Sequence, residues 1–223
     1  MYQIYLLDID NTLLDFDATE IKSFHTLLNS YEITYEEELF TQYKKINKNL
    51  WALLEQGKVD KDTVRTGRFI EFFGSLNLSY DAEEAERRYQ SYLSDGADMM
   101  PNAKETLINL KEAGKKIYSA SNGVYETQVK RLKTAGLYDY FEEMFVSEKI
   151  GHEKPDRSFF DYCFDHIKDF DVEKTIMVGD SLTSDIQGAI NSGIDSCFYD
   201  PKGAITAAKA THTISDLNEL LSL

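Results

Sequence analysis

Four short stretches of this 223-residue chain carry side chains that could do chemistry together. Asp8-Ile9-Asp10-Asn11-Thr12 offers two carboxylates alternating about an apolar residue, and Ser121-Asn122-Gly123 a hydroxyl beside backbone amides. Lys154-Pro155 brings a cation, and Gly179-Asp180-Ser181 a further carboxylate. If Asp180 joins Asp8 and Asp10, each pair about 5 Å apart repels by roughly 3 kcal/mol at an effective dielectric near 20. Such a cluster persists by holding a proton or binding a cation. Mg2+ suits it, because it prefers oxygen ligands, keeps several waters and shares a phosphate oxygen. Lys154 supplies the positive charge that a phosphate, or an aspartate nucleophile, needs beside it. Ser121 and the amides around Asn122 and Gly123 can donate hydrogen bonds to phosphate oxygens. A carboxylate nucleophile would give an acyl phosphate, with Asp10 protonating the leaving oxygen and then taking a proton from water. Phosphoryl transfer is mostly a matter of position and charge, and this set supplies both.

Each stretch alone has an ordinary reading. Asp-x-Asp and Ser-Asn-Gly are common in turns, Gly-Asp-Ser can cap a helix, and Lys-Pro can be an exposed loop before one. The functional reading comes from their occurring together, in order, at or soon after the ends of predicted strands. Residues 2–7 predict a strand that stops at Asp8. Lys116–Ala120 predicts one that stops at Ser121, Met144–Val146 one that precedes Lys154, and Thr175–Val178 one that stops at Gly179. A last strand is expected over Ser196–Tyr199. Between them, helices are read at Ala103–Leu110 closed by Gly114, through Val129 and Leu132 to Gly136, over Phe159–His166, and from Ser184 to Asn191.

Residues 17–95 differ in character. Ile21, Phe24 and Leu28 place a helix opened by Asp17; Leu39, Tyr43, Ile46, Leu50 and Leu53 place a second, with a capping box from Thr34 and Glu37. Phe69, Phe73 and Leu76 mark a third, and Ala82, Ala85, Tyr89 and Tyr92 a fourth. The expected architecture is α/β. A Rossmann-like parallel sheet with helices on both faces is built from residues 1–16 and 97–223, and an all-α cap domain at 17–96 is inserted after the first strand. Met99-Met100-Pro101 and the stretch around Asp15-Phe16 are expected to be paired hinges. In open parallel sheets ligands sit beyond the carboxyl ends of the strands, so this fold would gather all four stretches at one edge.

The bulk numbers narrow the partners. With 24 Lys+Arg against 39 Asp+Glu the net charge is −15, which repels a nucleic acid polymer, and no basic stripe offsets it. A small phosphorylated metabolite needs only one local cation. No apolar run approaches bilayer length, and the first residues carry neither a basic segment nor a cleavage site. Two cysteines without CxxC spacing suit reduced thiols, so a cytoplasmic protein is expected. Trp51, Phe69, Phe72 and Phe73 read as core before they read as a base-stacking surface, and the four histidines show no ligand spacing.

The motif set resembles that of the haloacid dehalogenase superfamily of phosphohydrolases. Asp8–Thr12 resembles its first motif, Ser121 its second, Lys154-Pro155 its third and Gly179–Asp185 its fourth, with the helical block in the place of that family's α-helical cap. The resemblance implies Asp8 as nucleophile and metal ligand. Asp10 would be the acid/base that also offers its backbone carbonyl to the metal, Asp180 the second side-chain ligand, and Asp185 an orienting residue behind a metal-bound water or Lys154. It implies Mg2+ as cofactor. Asp10 argues against the family's dehalogenases, which lack that carboxylate because halide departure needs no proton. The run Gly179–Cys197 is similar to small bacterial 5'-nucleotidases acting on pyrimidine monophosphates, which implies UMP, dUMP or dTMP as substrates. A phosphatase or mutase for sugar phosphates is the alternative, and a phosphate-binding protein without turnover the third reading. The oligomeric state stays open.

Overall fold

The structure is a computed structural model that describes residues 1–203 and 209–223. The chain divides into two compact units, Met1–Phe16 with Ala97–Leu223, and Asp17–Gly96.

Among the described residues, the first unit is built on six strands: β1 (Ile4–Leu7), β2 (Lys116–Ser121), β3 (Glu143–Val146), β4 (Thr175–Gly179), β5 (Asp195–Tyr199) and β6 (His212–Ile214). Their order is β3-β2-β1-β4-β5-β6, with every neighbouring pair parallel. All four residues of β1 are buried, as expected of a central strand covered on both faces. Its side chains alternate. Tyr5 and Leu7 share a core with Ala103, Leu107 and Leu110 of the helix Ala103–Glu112, whereas Ile4 and Leu6 share another with Phe159, Phe160 and Cys163 of the helix Arg157–His166. Burying one such Leu or Phe side chain contributes roughly 1.5–3 kcal/mol, which fixes the register of the sheet and with it the height of every strand end.

The second unit contains four helices, α1 (Phe16–Ser30, opening in the first unit), α2 (Glu37–Glu55), α3 (Lys61–Ser75) and α4 (Ala82–Leu93). The chain then continues through α5 (Ala103–Glu112), α6 (Tyr125–Ala135), α7 (Ser147–Ile150), α8 (Arg157–His166) and α9 (Gln187–Ser192) of the first unit. Phe24 stacks on Tyr43 at 4.5 Å, Tyr43 on Phe69 at 5.9 Å, and Tyr89 meets Phe69 edge-on at 5.4 Å. Phe69, Phe72 and Phe73 are therefore core, as the sequence suggested, and Trp51 is half-buried against Leu50, Leu54 and Val64. A polar seam runs through this core. Asn47 donates to Glu20 at 3.0 Å, and Arg68 donates to Asn47 at 3.3 Å and to Glu86 at 2.5 Å, so the seam ties all four helices.

Several readings are corrected. The buried stripe of α2 is Phe40, Tyr43, Asn47, Leu50 and Leu54, partly out of phase with the expected one, because the polar Asn47 occupies a core position that a count of apolar residues skips. No capping box forms from Thr34 and Glu37. Glu36 holds the N-cap place without a side-chain bond, which puts Glu37 at the first helical position rather than the third. A complete capping box closes instead between Asp216 and Glu219. The edge strand β6 went unpredicted, since its three residues bury only Ile214 and show no period. The helix expected from Ser184 begins instead as a turn of π-helix over Leu182–Ile186 before α9.

The segments by which the chain leaves and re-enters the first unit are bonded to each other. Asp15 N donates to Asp98 O at 2.9 Å and Met100 N to Leu13 O at 3.0 Å, around an antiparallel bridge between Leu14 and Met99.

Candidate active site

The strand order reverses beside β1: the chain moves outward to β2 and β3, then crosses to β4 on the other side. At such a switch point the loops leaving adjacent strands diverge and open a crevice at their carboxyl ends. Asp8 follows β1 directly, Ser121 ends β2, and Asp180 follows β4. Lys154 reaches the same edge from the segment between α7 and α8.

Lys154 is 1% exposed, and its ammonium has its three donors placed. It bonds Asp8 Oδ1 at 2.8 Å, Asp185 Oδ1 at 2.7 Å and the Ala120 carbonyl. Burial alone would lower its pKa, but Asp185 and Asp8 outweigh that and hold it well above the ordinary lysine value. Of the two partners expected for this cation, an aspartate and a phosphate, the aspartate is in place.

Asp8 is nearly buried, and burial raises its pKa well above the usual carboxylate range; Lys154 opposes this, while Asp185, Asp180 and Asp10 add to it. Thr12 sits behind it, with its hydroxyl 3.5 Å from Asp8 Oδ2. Asp180 is half-buried and pushed up to about 7, first by burial and then by Asp185. Carboxylate oxygens of Asp8, Asp180 and Asp185 lie within 4.8 Å of one another. Asp185 has both oxygens engaged, one by Lys154 and one by the Ser181 amide at 3.0 Å. Its place is made by Gly179, where an added Cβ would fall 2.1 Å from Asp185 Oδ2.

Asp10 is held differently. Its carboxylate accepts from Gln128 Nε2 at 2.7 Å and from Arg131 NH1, and it is not one of the three that gather within 4.8 Å. Asn11, in the left-handed region at φ 57°, reverses the chain behind it and caps the amide of Phe16 at 3.0 Å. Ser121 Oγ accepts from Gly123 N at 3.1 Å and Gln128 Nε2 at 3.0 Å, so its own hydroxyl proton is left to donate. The Asn122 side chain is occupied by the Lys154 backbone, donating to its carbonyl and accepting from its amide, both at 2.9 Å. What Asn122 can offer a phosphate is its backbone N–H.

The donor set fits a divalent cation. With all four ionised, Asp8, Asp10, Asp180 and Asp185 would bring four negative charges against the two positive charges of Lys154 and Arg131. The excess of two is what one such ion balances, and the ligands are all hard oxygens.

Sequence reasoning did not single out Gln128 and Arg131. Their signal was available: two large polar residues three apart, flanking Val129 and Leu132, on the helix that follows Ser121-Asn122-Gly123. His152 is exposed and takes no part in the cluster.

With its polar groups gathered where the strand order reverses, the first unit is an α/β enzyme of the doubly wound kind. The chain belongs to the haloacid dehalogenase-like hydrolases, whose sequence pattern matches residues 5–199. It is 35% identical over 221 residues to the HAD-hydrolase YfnB of Bacillus subtilis, spanning 98% of this chain and 94% of that protein. The crystal structure of YfnB bound to magnesium superposes with a TM-score of 0.94, covering 100% of this chain and 99% of that one. The pyrimidine 5'-nucleotidase PynA of Streptococcus pneumoniae is 36% identical, over 99% of this chain and 94% of that protein. The pyrimidine 5'-nucleotidase YjjG of Escherichia coli is 30% identical, over 97% and 95%. Among the described residues no helix is long and apolar enough to cross a membrane.

Proposed function

We propose that the chain is a Mg2+-dependent phosphomonoesterase that works through an aspartyl phosphate on Asp8, with pyrimidine nucleoside 5'-monophosphates as its substrates. The observation that carries this reading is the buried Lys154, which pairs with Asp8 and Asp185 beside a carboxylate cluster in excess of negative charge. In the first step an Asp8 oxygen attacks phosphorus while the ester P–O bond breaks, and the leaving oxygen takes the proton of the Asp10 carboxyl. In the second, water attacks the phosphorus of the aspartyl phosphate and gives a proton to Asp10, and the bond to Asp8 breaks to release inorganic phosphate. Ser121 and the Asn122 amide hold the phosphoryl oxygens, and Lys154 favours the charged form of Asp8 and aims it.

Asp8, Asp180 and the backbone carbonyl of Asp10 would hold the ion, with Asp185 behind them. Mg2+, when bound, supplies the charge that lets a phosphate dianion approach this cluster. Magnesium in the YfnB crystal structure supports that choice. The substrate class rests on the likeness to PynA and YjjG along nearly the whole chain. Two free, buried cysteines, Cys163 and Cys197, suit a cytoplasmic setting.

The test is phosphate release from UMP, dUMP, dTMP, AMP, GMP and several sugar phosphates, with Mg2+ and after chelation. Preference for the pyrimidine nucleotides, lost on chelation and restored by Mg2+, is expected. Activity confined to sugar phosphates would keep the chemistry and overturn the substrate class. Full activity after thorough chelation would remove the metal from it.

A further inference from the structure

We propose that Gln128 and Arg131 on α6 are positioning residues that hold the Asp10 carboxylate in place for proton transfer to the leaving oxygen. The inference rests on the phosphomonoesterase reading above and adds residues that its motifs do not contain.

Both oxygens of Asp10 are held from one helix: Oδ2 by Gln128 Nε2 at 2.7 Å, Oδ1 by Arg131 NH1. The two holders are bonded to each other, with Arg131 NH1 donating to Gln128 Oε1 at 2.9 Å. A carboxylate fixed at both oxygens cannot rotate freely about its own bonds. Gln128 Nε2 also donates to Ser121 Oγ at 3.0 Å, so one amide group sets the spacing between Asp10 and the hydroxyl at the end of β2. Gln128 and Arg131 lie three residues apart, on one face of α6.

Packing alone does not account for these residue types. Both are 1% exposed, and burying a guanidinium and a primary amide carries a desolvation penalty that Leu or Met at the same places would avoid. Their surroundings are shaped to admit them. An added Cβ at Gly123 would fall 2.6 Å from Gln128 Nε2 and 2.9 Å from its Cδ, so only the bare backbone there leaves room for the amide. The Phe16 ring lies against the guanidinium, its centroid 5.6 Å from the guanidinium carbon. Gly123, Gln128, Arg131 and Asp10 thus form one device across the edge of the sheet.

The reaction supplies a readout that a purely structural role would not move. An alkyl leaving oxygen needs a proton as its P–O bond breaks, whereas p-nitrophenolate leaves without one. Aim at Asp10 therefore matters for nucleotides and hardly at all for p-nitrophenyl phosphate. The parameter to compare is kcat/KM, which covers steps only through ester cleavage and is blind to later hydrolysis of the aspartyl phosphate.

The experiment measures kcat/KM of Gln128→Leu, Arg131→Met and Arg131→Lys with Mg2+, on the nucleoside monophosphate the parent handles best and on p-nitrophenyl phosphate. Asp10→Asn is the reference for complete loss of the acid. Gln128→Leu and Arg131→Met are expected to lose about 10²-fold on the nucleotide, in the range general-acid catalysis contributes, and no more than about threefold on the aryl ester. Arg131→Lys is expected to recover part of the nucleotide activity. Equal losses on both esters, or no loss on either, overturn the positioning role. If Arg131→Met fails to show the parent's cooperative thermal unfolding, Gln128→Leu decides alone. A parent that releases phosphate from neither ester overturns the proposed function itself, and an Asp10→Asn variant with equal losses on both overturns the acid role.

Discussion

Asp8 and Lys154 form a buried charge pair at 2.8 Å, and the two ends of that pair respond to mutation in different ways. Asp8→Asn keeps the shape of the side chain and leaves Lys154 its bonds to Asp185 and Ala120. Hydrolysis should fall by at least about 10³-fold, the order seen when a nucleophile is removed, with the thermal unfolding midpoint close to the parent's. Retained turnover in pure protein would take the nucleophile's role from Asp8. Lys154→Met is the opposite case, because it strands the buried Asp8 and Asp185 carboxylates without their cation. Breaking such a pair typically costs about 3–5 kcal/mol, so urea unfolding should show a clear loss of stability alongside the loss of activity. An unchanged midpoint would mean that the ammonium is not the counter-charge the contacts make it.

At the scale of elements, the ends of strands do the positioning, and glycines decide how closely the chain can approach. The end of β4 is the sharpest example. Asp185 folds back from the π-helical turn until its carboxylate lies where a Cβ at residue 179 would sit, 2.1 Å away. That carboxylate cannot yield cheaply, since it bonds both Lys154 and the Ser181 amide. Gly179→Ala should therefore displace Asp185 and carry Lys154 with it, lowering kcat/KM by about 10²-fold, the usual result of a misplacement near 1 Å. A fully active Gly179→Ala enzyme would show that Asp185 is dispensable. These element ends were largely readable in advance. The strands that lead into Asp8 and end in Ser121 and Gly179 were predicted within two residues or so, because apolar runs ending in polar clusters are local signals. The π-helical turn and β6 were not. One is set by how Asp185 is held, and the other is a three-residue edge whose place comes from pairing with β5.

At the scale of the whole molecule, the candidate active site should not be the sole source of the pH dependence of stability, because Glu20 outside it contributes as well. Glu20 of α1 is 2% exposed and pushed up to about 7 by burial, which outweighs the lowering by Lys44 and Arg68 and the hydrogen bond from Asn47. A carboxyl whose pKa is higher folded than unfolded favours the fold most when protonated. Its contribution is complete below its ordinary 4.5 and is lost as the pH rises through about 7. Glu20→Gln should therefore flatten the change in thermal midpoint between pH 5 and pH 8 by a few degrees relative to the parent. Identical slopes would place the parent's pH dependence elsewhere. The seam of Glu20, Asn47, Arg68 and Glu86 is also where the reading of α2 went out of phase, since apolar periodicity has no means of counting a buried Asn.

By itself the sequence determined the class of chemistry. Each candidate group lies in a stretch of a few residues at or soon after a strand end, and a parallel sheet delivers strand ends to one edge whatever the details of packing. The tertiary structure alone decided what each group faces. Lys154 meets Asp8 across 146 residues of chain, and Arg131 and Gln128 meet Asp10 across 121 and 118. Whether a lysine turns to a carboxylate or a phosphate, and whether an aspartate joins a cluster or is held apart from it, depends on side-chain directions. Those are set by the packing of helices far apart in sequence, and no local pattern encodes them.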